Sequence, residues 1–262
     1  ATNAEEARRL LAEGHNVLVF EPGKAEIEQT IGALKKSGVD AVILPLYGEL
    51  DSSEQRRCFA QYSKPKCVVS TNVAETSITI PDITAVVDGG MERRVEVVDG
   101  VQGLYLRPIS KANAKQRQGR AGRCAPGVYV DRCVSRDTRP EYPVAEIMRL
   151  RLDQTVLRLA QAGFDMETLH FFHQPKIEEI RRAKNSLKAL GCMTQDGQVT
   201  KIGNRVAQLP ISVQFARMVV EAERLGVVDD VITIAAILEG GEITARPDEM
   251  GREPWRQYIG NE

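Results

Sequence analysis

At 262 residues, 42% hydrophobic and 27% charged, the chain has enough apolar material for two domains or slightly more, each with its own core. A formal net charge of -1 excludes a globally polybasic surface, so any affinity for nucleic acid must come from a local patch. No apolar run approaches the ~20 residues that cross a bilayer, and the five cysteines contain no CxxC pair, which excludes a membrane span and a disulfide or zinc frame.

The first half alternates short β-branched runs with helical patterns. Val17–Phe20, Val42–Leu46, Cys67–Thr71, Ala85–Asp88 and Val128–Asp131 read as strands, apolar on both sides as in a parallel sheet covered on both faces. Between them, Glu26–Lys36 places Ile27, Ile31 and Leu34 on one helical stripe, and Ser52–Tyr62 opens with a serine cap. This order predicts a doubly wound α/β domain whose ligands sit at the carboxyl ends of the strands. Arg93–Val98 and Val101–Leu106, joined by Asp99-Gly100, read as a β-hairpin inserted at about 91–108. Pro140–Pro143 marks a break. Helical patterns follow over Ile147–Ala162 and Ile177–Leu190, then a ribbon at Met193–Val199 and a helix at Thr200–Leu209, an order that reads as a winged helix. Two amphipathic helices are expected between Ser212 and Leu238, and a partly disordered tail over Glu239–Glu262. The expected domains are therefore 1–139, 140–209 and 210–262.

Two blocks carry chemistry. The first is Ser70-Thr71-Asn72-Val73-Ala74-Glu75-Thr76-Ser77-Ile78-Thr79-Ile80, and the second is Gln116-Arg117-Gln118-Gly119-Arg120-Ala121-Gly122-Arg123. Arginines at i, i+3 and i+6 on a helix would point broadly the same way, and their forked donors match phosphate oxygens. A solvated basic helix face is the bland alternative. Six fixed residues in eight, at about one in twenty each, argue against it. His170 and His173 form the only close histidine pair and lack further ligands, so no metal site is expected.

These blocks resemble motifs V and VI of the DEAH-box RNA helicases of superfamily 2, in the forms (S/A)TNxAETSxT and QRxGRxGR. Leu18-Val19-Phe20-Glu21-Pro22-Gly23 with Glu26-Ile27-Glu28 is similar to the family's motif IV. Leu44–Leu50 and Glu54–Phe59 are similar to the segment that follows it. Asp88-Gly89-Gly90 departs from the usual Asp-Pro-Gly. The resemblance implies a RecA-like, P-loop-NTPase-type parallel sheet (the second helicase domain), then a winged helix and the start of a helical bundle. The sequence holds neither GxxxxGK(S/T) nor Asp-Glu-Ala-His. The chain is thus expected to be part of a longer one, opening at a cut with no signal peptide, and inactive alone.

For individual residues the resemblance is specific. Gln116, Arg120 and Arg123 match positions facing the γ-phosphate, with Arg120 and Arg123 as arginine fingers and Gln116 orienting the attacking water. Arg117 is expected to pair within its own domain. Phe59 matches the aromatic that stacks on the base, while its place at a helix end equally fits a core residue. Thr79 matches a ribose contact, with Asp82 as the nearest acidic candidate beside Pro81. Ser77 matches a nucleotide sensor. Thr71 and Asn72 match contacts to the nucleic-acid backbone, with Gly23, Tyr47 and Gly48 as neighbours, and the hairpin stands beside the strand at the duplex junction. ATP or another NTP with Mg2+, held mainly by the first RecA-like domain, is the implied cofactor set. Single-stranded RNA bound without sequence preference is the implied partner, with 3′ to 5′ movement. A glycine-rich activator, a monomeric state and a reducing cytoplasmic or nuclear compartment complete the expectation. A superfamily 2 DNA helicase and a non-catalytic RNA- or protein-binding module are the alternatives.

Overall fold

The computed structural model describes residues 2–98, 101–123, 125–134 and 138–240. The chain divides into two compact units, Ala1–Arg149 and Leu150–Glu262. The first is built on β1 (Val17–Phe20), β2 (Val42–Leu46), β3 (Lys66–Ser70), β4 (Ala85–Asp88) and β7 (Val128–Asp131), hydrogen-bonded in the order β2-β3-β1-β4-β7. All four pairings are parallel.

Period-two side-chain alternation explains why these strands are apolar throughout. Val17, Val19, Cys67, Val69, Ala85 and Val87 face one layer, against α1 (Asn3–Ala12) and α2 (Lys24–Lys36). Leu18, Phe20, Val68 and Val86 face the other, with Cys58, Ala74, Ile80, Ile83 and Ala121. That second layer holds α3 (Ser52–Arg57), α4 (Val73–Thr76) and the end of α5 (Lys111–Gln118), so the chain's two chemical blocks share one face of the sheet.

Several expected boundaries shift, each for a local reason. Helix α1 was not anticipated, although Thr2 and Glu5 form a reciprocal capping box and Ala4, Ala7, Leu10 and Leu11 make its buried stripe. The helix expected over Ser52–Tyr62 stops at Arg57, because the Cys58 and Ala60 carbonyls accept from the Lys66 ammonium instead of continuing the helix. The helix expected from Ile147 begins at Asp153. Residues 146–148 form a 3-10 turn, and Arg149 docks on the hairpin: its carbonyl accepts from Val97 N at 2.8 Å and its guanidinium donates to Val95 O at 2.5 Å. Lys111 N and Ala112 N likewise donate to Pro140 O and Glu141 O, so residues 140–149 lie in the first unit and the division falls ten residues later than expected.

The hairpin is β5 (Met91–Val98) paired antiparallel with β6 (Val101–Pro108). Its Asp99-Gly100 turn, like the tail beyond Gly240, lies outside the described residues. In the second unit α6 (Asp153–Gln161), α7 (Ile177–Ala189), α8 (Lys201–Gln208), α9 (Val213–Leu225) and α10 (Val228–Gly240) follow in order. Among the described residues, the expected ribbon is reduced to one antiparallel bridge, Met193 to Val199, around Gly197 at φ 90°. The basic side of α7 is neutralised locally: Lys184 pairs with Asp165 and Glu167, and Arg181 with Glu167. That leaves α7 little charge with which to read a nucleic-acid groove.

Gly90 joins β4 to the hairpin at φ 70°, and a Cβ there would overlap the Cys133 side chain. Gly90→Ala combines left-handed backbone strain with overpacking. It should lower stability by about 2–4 kcal/mol, read as a lower urea midpoint at unchanged m.

Candidate functional site

The site grows from one buried ion-pair cluster. Arg117, at the last turn of α5, is 1% exposed. Its Nε donates to Glu75 Oε2 at 2.9 Å and its Nη1 to Asp88 Oδ1 at 2.8 Å, while its plane lies 4.6 Å from the Phe20 ring centroid. Burial pulls the guanidinium pKa down, but Asp88 and Glu75 more than offset this and the net shift is upward. Asp88 also accepts from Gly90 N and the Tyr129 hydroxyl, and Glu75 accepts from Asn113 Nδ2. Both carboxylates are therefore fully engaged, and the two chemical blocks are locked to the ends of β1 and β4. Arg117 pairs within its own unit, as expected.

The three arginines do not share a helix face. Helix α5 ends at Gln118, and the chain turns through Gly119–Arg123. Arg117 consequently points inward, while Arg120 and Arg123 leave the helix axis and meet at Thr79. Arg120 Nη1 donates to Thr79 Oγ1 at 2.9 Å, Arg123 Nη1 to the same oxygen at 3.3 Å, and Arg120 also donates to the Glu75 carbonyl. Burial first, and the neighbouring Arg123 charge second, hold the Arg120 pKa below the ordinary guanidinium value. Two cations thus converge on one neutral hydroxyl. Gln116, Glu75, Thr76, Gly119, Arg120 and Arg123 line an open cleft of about 330 Å³ at this place. Gln116 is exposed there, and Ser77, exposed, caps α4 two residues before Thr79.

The remaining nucleotide candidates divide. Phe59 lies beyond the end of α3 with 39% of its surface exposed, so the core position at the helix end belongs to Cys58 instead. Asp82 is occupied: Oδ1 pairs with the buried Lys66 Nζ at 2.7 Å, and Oδ2 accepts from Asn16 at 3.3 Å. A carboxylate held this way brackets the loop that follows Thr79.

The nucleic-acid candidates line one edge. Phe20, Leu46, Ser70 and Asp88 stand level at the carboxyl ends of adjacent strands. Directly beyond them come Gly23 at the N-cap of α2, Tyr47-Gly48, and Thr71-Asn72. Thr71 N donates to Leu46 O and Glu21 N to Ser70 O, tying each loop to its neighbour strand. Arg93 of the hairpin donates to Glu26 at 2.7 Å, placing the hairpin base beside Gly23. Tyr47 is half-buried, with the Lys24 ammonium 5.5 Å from its ring centroid.

The cleft's donors suit a phosphate and do not suit a divalent cation. Its charged groups are guanidiniums, and its one carboxylate, Glu75, is spent on Arg117 and Asn113. Removing Arg117 would strand two buried carboxylates. Arg117→Met should cost about 3–5 kcal/mol in chemical denaturation, and Arg117→Lys should recover only part, because a point charge cannot span both partners.

Comparison with known proteins agrees with this geometry. The family model for the helicase conserved C-terminal domain matches residues 3–125, and the model for the helicase associated domain (HA2), ratchet-like, matches residues 212–257. The chain is similar to the ATP-dependent RNA helicase HrpA of Escherichia coli (strain K12), 38% identical over 251 residues, which cover 91% of this chain and 19% of that protein. It is also similar to the pre-mRNA-splicing factor ATP-dependent RNA helicase prp22 of Schizosaccharomyces pombe, 34% identical over 264 residues, with 94% and 22% covered. The chain spans about a fifth of the length of these relatives. The crystal structure of the E. coli DExH-box NTPase HrpB matches with a TM-score of 0.84 and 28% identity, over 97% of this chain and 33% of that one. These matches and the motifs together support a C-terminal DEAH-box helicase region in this chain.

Proposed function

We propose that this chain supplies the second half of an ATP-driven RNA motor: the arginine fingers for hydrolysis and part of the track for the RNA backbone. The observation that carries the reading is the convergence of Arg120 and Arg123 on Thr79 above the buried Arg117 cluster. The two guanidiniums rest on a hydroxyl and on backbone carbonyls, all of them neutral. Charge-assisted bonds to a γ-phosphate are roughly twice as strong, so a bound triphosphate draws the pair off Thr79. The repulsion that depresses the Arg120 pKa is relieved by the same anion. Charge spreading over the transferring phosphoryl group is then met by two fixed cations, while Gln116 orients water at the cleft mouth and Thr79, released, faces the ribose.

Phe59 offers one aromatic face to the base, a contact tolerant of base identity, so ATP or another NTP serves. Mg2+ and most of the triphosphate are held by the first RecA-like domain of the full-length protein, and this chain alone does not hydrolyse ATP. Ser77 reports the nucleotide state to Thr71 and Asn72. With Gly23, Tyr47 and Gly48 these form a sequence-tolerant path for single-stranded RNA, and opening and closing of the cleft moves the strand for unwinding or remodelling of RNA–protein complexes. The protein acts as a monomer in a reducing cytoplasmic or nuclear compartment, a setting in keeping with the buried free thiols of Cys58, Cys67, Cys133 and Cys192. A glycine-rich activator protein is a compatible partner.

In the full-length protein, Arg123→Ala or Arg120→Ala should lower RNA-stimulated ATP turnover by about 10³–10⁵ while RNA affinity at fixed salt stays close to wild type. Near-normal turnover would sink the finger assignment. Thr71→Ala should leave ATP binding intact but uncouple unwinding; unchanged RNA-stimulated turnover and unwinding would remove Thr71 from the track. Equal stimulation by RNA and by DNA of the same sequence would favour the DNA-helicase alternative.

A further inference from the structure

We infer that Lys66 is a positioning residue that holds Phe59 outward as the base platform, through a three-point grip on the loop carrying it. This rests on the reading of Phe59 as the base-stacking residue. The Lys66 side chain is 1% exposed, and burying an ammonium costs several kcal/mol unless every donor is met. Here two backbone carbonyls receive hydrogen bonds from the ammonium, and a carboxylate beside it balances its charge. Nζ donates to Cys58 O at 2.8 Å and to Ala60 O at 3.0 Å, and pairs with Asp82 Oδ1 at 2.7 Å. The two carbonyls belong to the residues immediately before and after Phe59. The grip therefore holds the peptide unit before Phe59 and the one after Ala60, bracketing this residue while its ring stays partly exposed.

The anchor is itself braced. Lys66 opens β3, an interior strand of the sheet, and its backbone N donates to Asn16 Oδ1 at 2.8 Å. Asn16 Nδ2 in turn holds Asp82 through its carbonyl and Oδ2, at 3.1 and 3.3 Å. Asp82 lies three residues after Thr79, so one buried cation ties the Phe59 loop to the segment on which Arg120 and Arg123 rest. The hydrophobic side of the grip is Cys58, fully buried against Leu46 and Ile80 in the same cluster.

The test uses the full-length protein with Lys66→Met, of similar length but without donors, and Phe59→Ala. The first readout is alkylation of individual cysteines, mapped by mass. Burial pushes the Cys58 thiol up to about 11 and Cys67 up to about 12. The Lys66 charge lowers the Cys58 value, so its loss alone would slow labelling; faster labelling can only report exposure. The second readout is RNA-stimulated turnover with ATP, alongside competitive inhibition by inorganic tripolyphosphate, which has no base. Lys66→Met should label Cys58 faster while Cys67 stays protected. Both variants should raise KM for ATP, by roughly 5- to 150-fold for Phe59→Ala, with kcat little changed and tripolyphosphate inhibition unaltered. The double variant should be no worse than Phe59→Ala alone.

If Lys66→Met does not fold, Lys66→Gln carries the test, because its amide can still donate to one carbonyl but cannot span both. A raised KM in Phe59→Ala with wild-type KM in the lysine variants overturns the positioning role alone. An unchanged KM in Phe59→Ala overturns the base-platform reading and the positioning role with it. Weakened tripolyphosphate inhibition in Lys66→Met would mean the lysine serves the phosphate side, and also overturns the inference.

Discussion

The cleft at Thr79 depends on Arg117 being buried between two carboxylates. Glu75 comes from the segment after β3, Asp88 from the end of β4, and Arg117 from the end of α5, so one guanidinium joins three separate stretches of chain at a single point. A buried ion pair of this kind contributes little net stability over an apolar replacement, since desolvation consumes most of the Coulombic gain. Its worth lies in register. The fork of the guanidinium matches one arrangement of the two carboxylates, and that arrangement brings the Glu75 carbonyl to Arg120 and sets Thr79 beneath Arg120 and Arg123.

Around that point the sheet does the coarse positioning. Strand ends standing level along β2, β3, β1 and β4 place three short loops and the hairpin base in one row, while the alternate face of the same strands seats α3, α4 and the turn after α5. The cleft at Thr79 and the row of strand-end loops thus belong to one framework but to different surfaces of it. The short α4 segment lies between them in the chain, after Thr71 and before Thr79.

Much of this was legible in the residues before any coordinates. All five sheet strands and the hairpin lie within a few residues of their apolar runs, because fully buried parallel strands leave little compositional ambiguity. The pairing role of Arg117 was also legible, although its partners were not: Glu75 and Asp88 are 42 and 29 residues away, and nothing local names a long-range partner. The expectation of three arginines on one helix face failed because the glycine at 119 marks a helix end, and the periodicity that aligns side chains stops with the helix. Lys66 escaped notice for the same reason as the early end of α3. A lysine at the start of an apolar strand reads as a solvated flank, and only the fold reveals three oxygens waiting for its ammonium. The short 3-10 turn and the docking of Arg149 on the hairpin were equally hidden, being tertiary contacts that override a helical pattern.

The shared seat at Thr79 has a consequence for turnover. If Arg120 and Arg123 serve a phosphate as proposed, they must go somewhere once it leaves, and two guanidiniums left bare would cling to the departing product. Thr79 and the Glu75 and Ile78 carbonyls give both arginines a neutral berth a short side-chain rotation away. In the proposed reading, the resting arrangement is the recovery stroke of the site, a place weak enough to be abandoned for a triphosphate and good enough to let the spent nucleotide go.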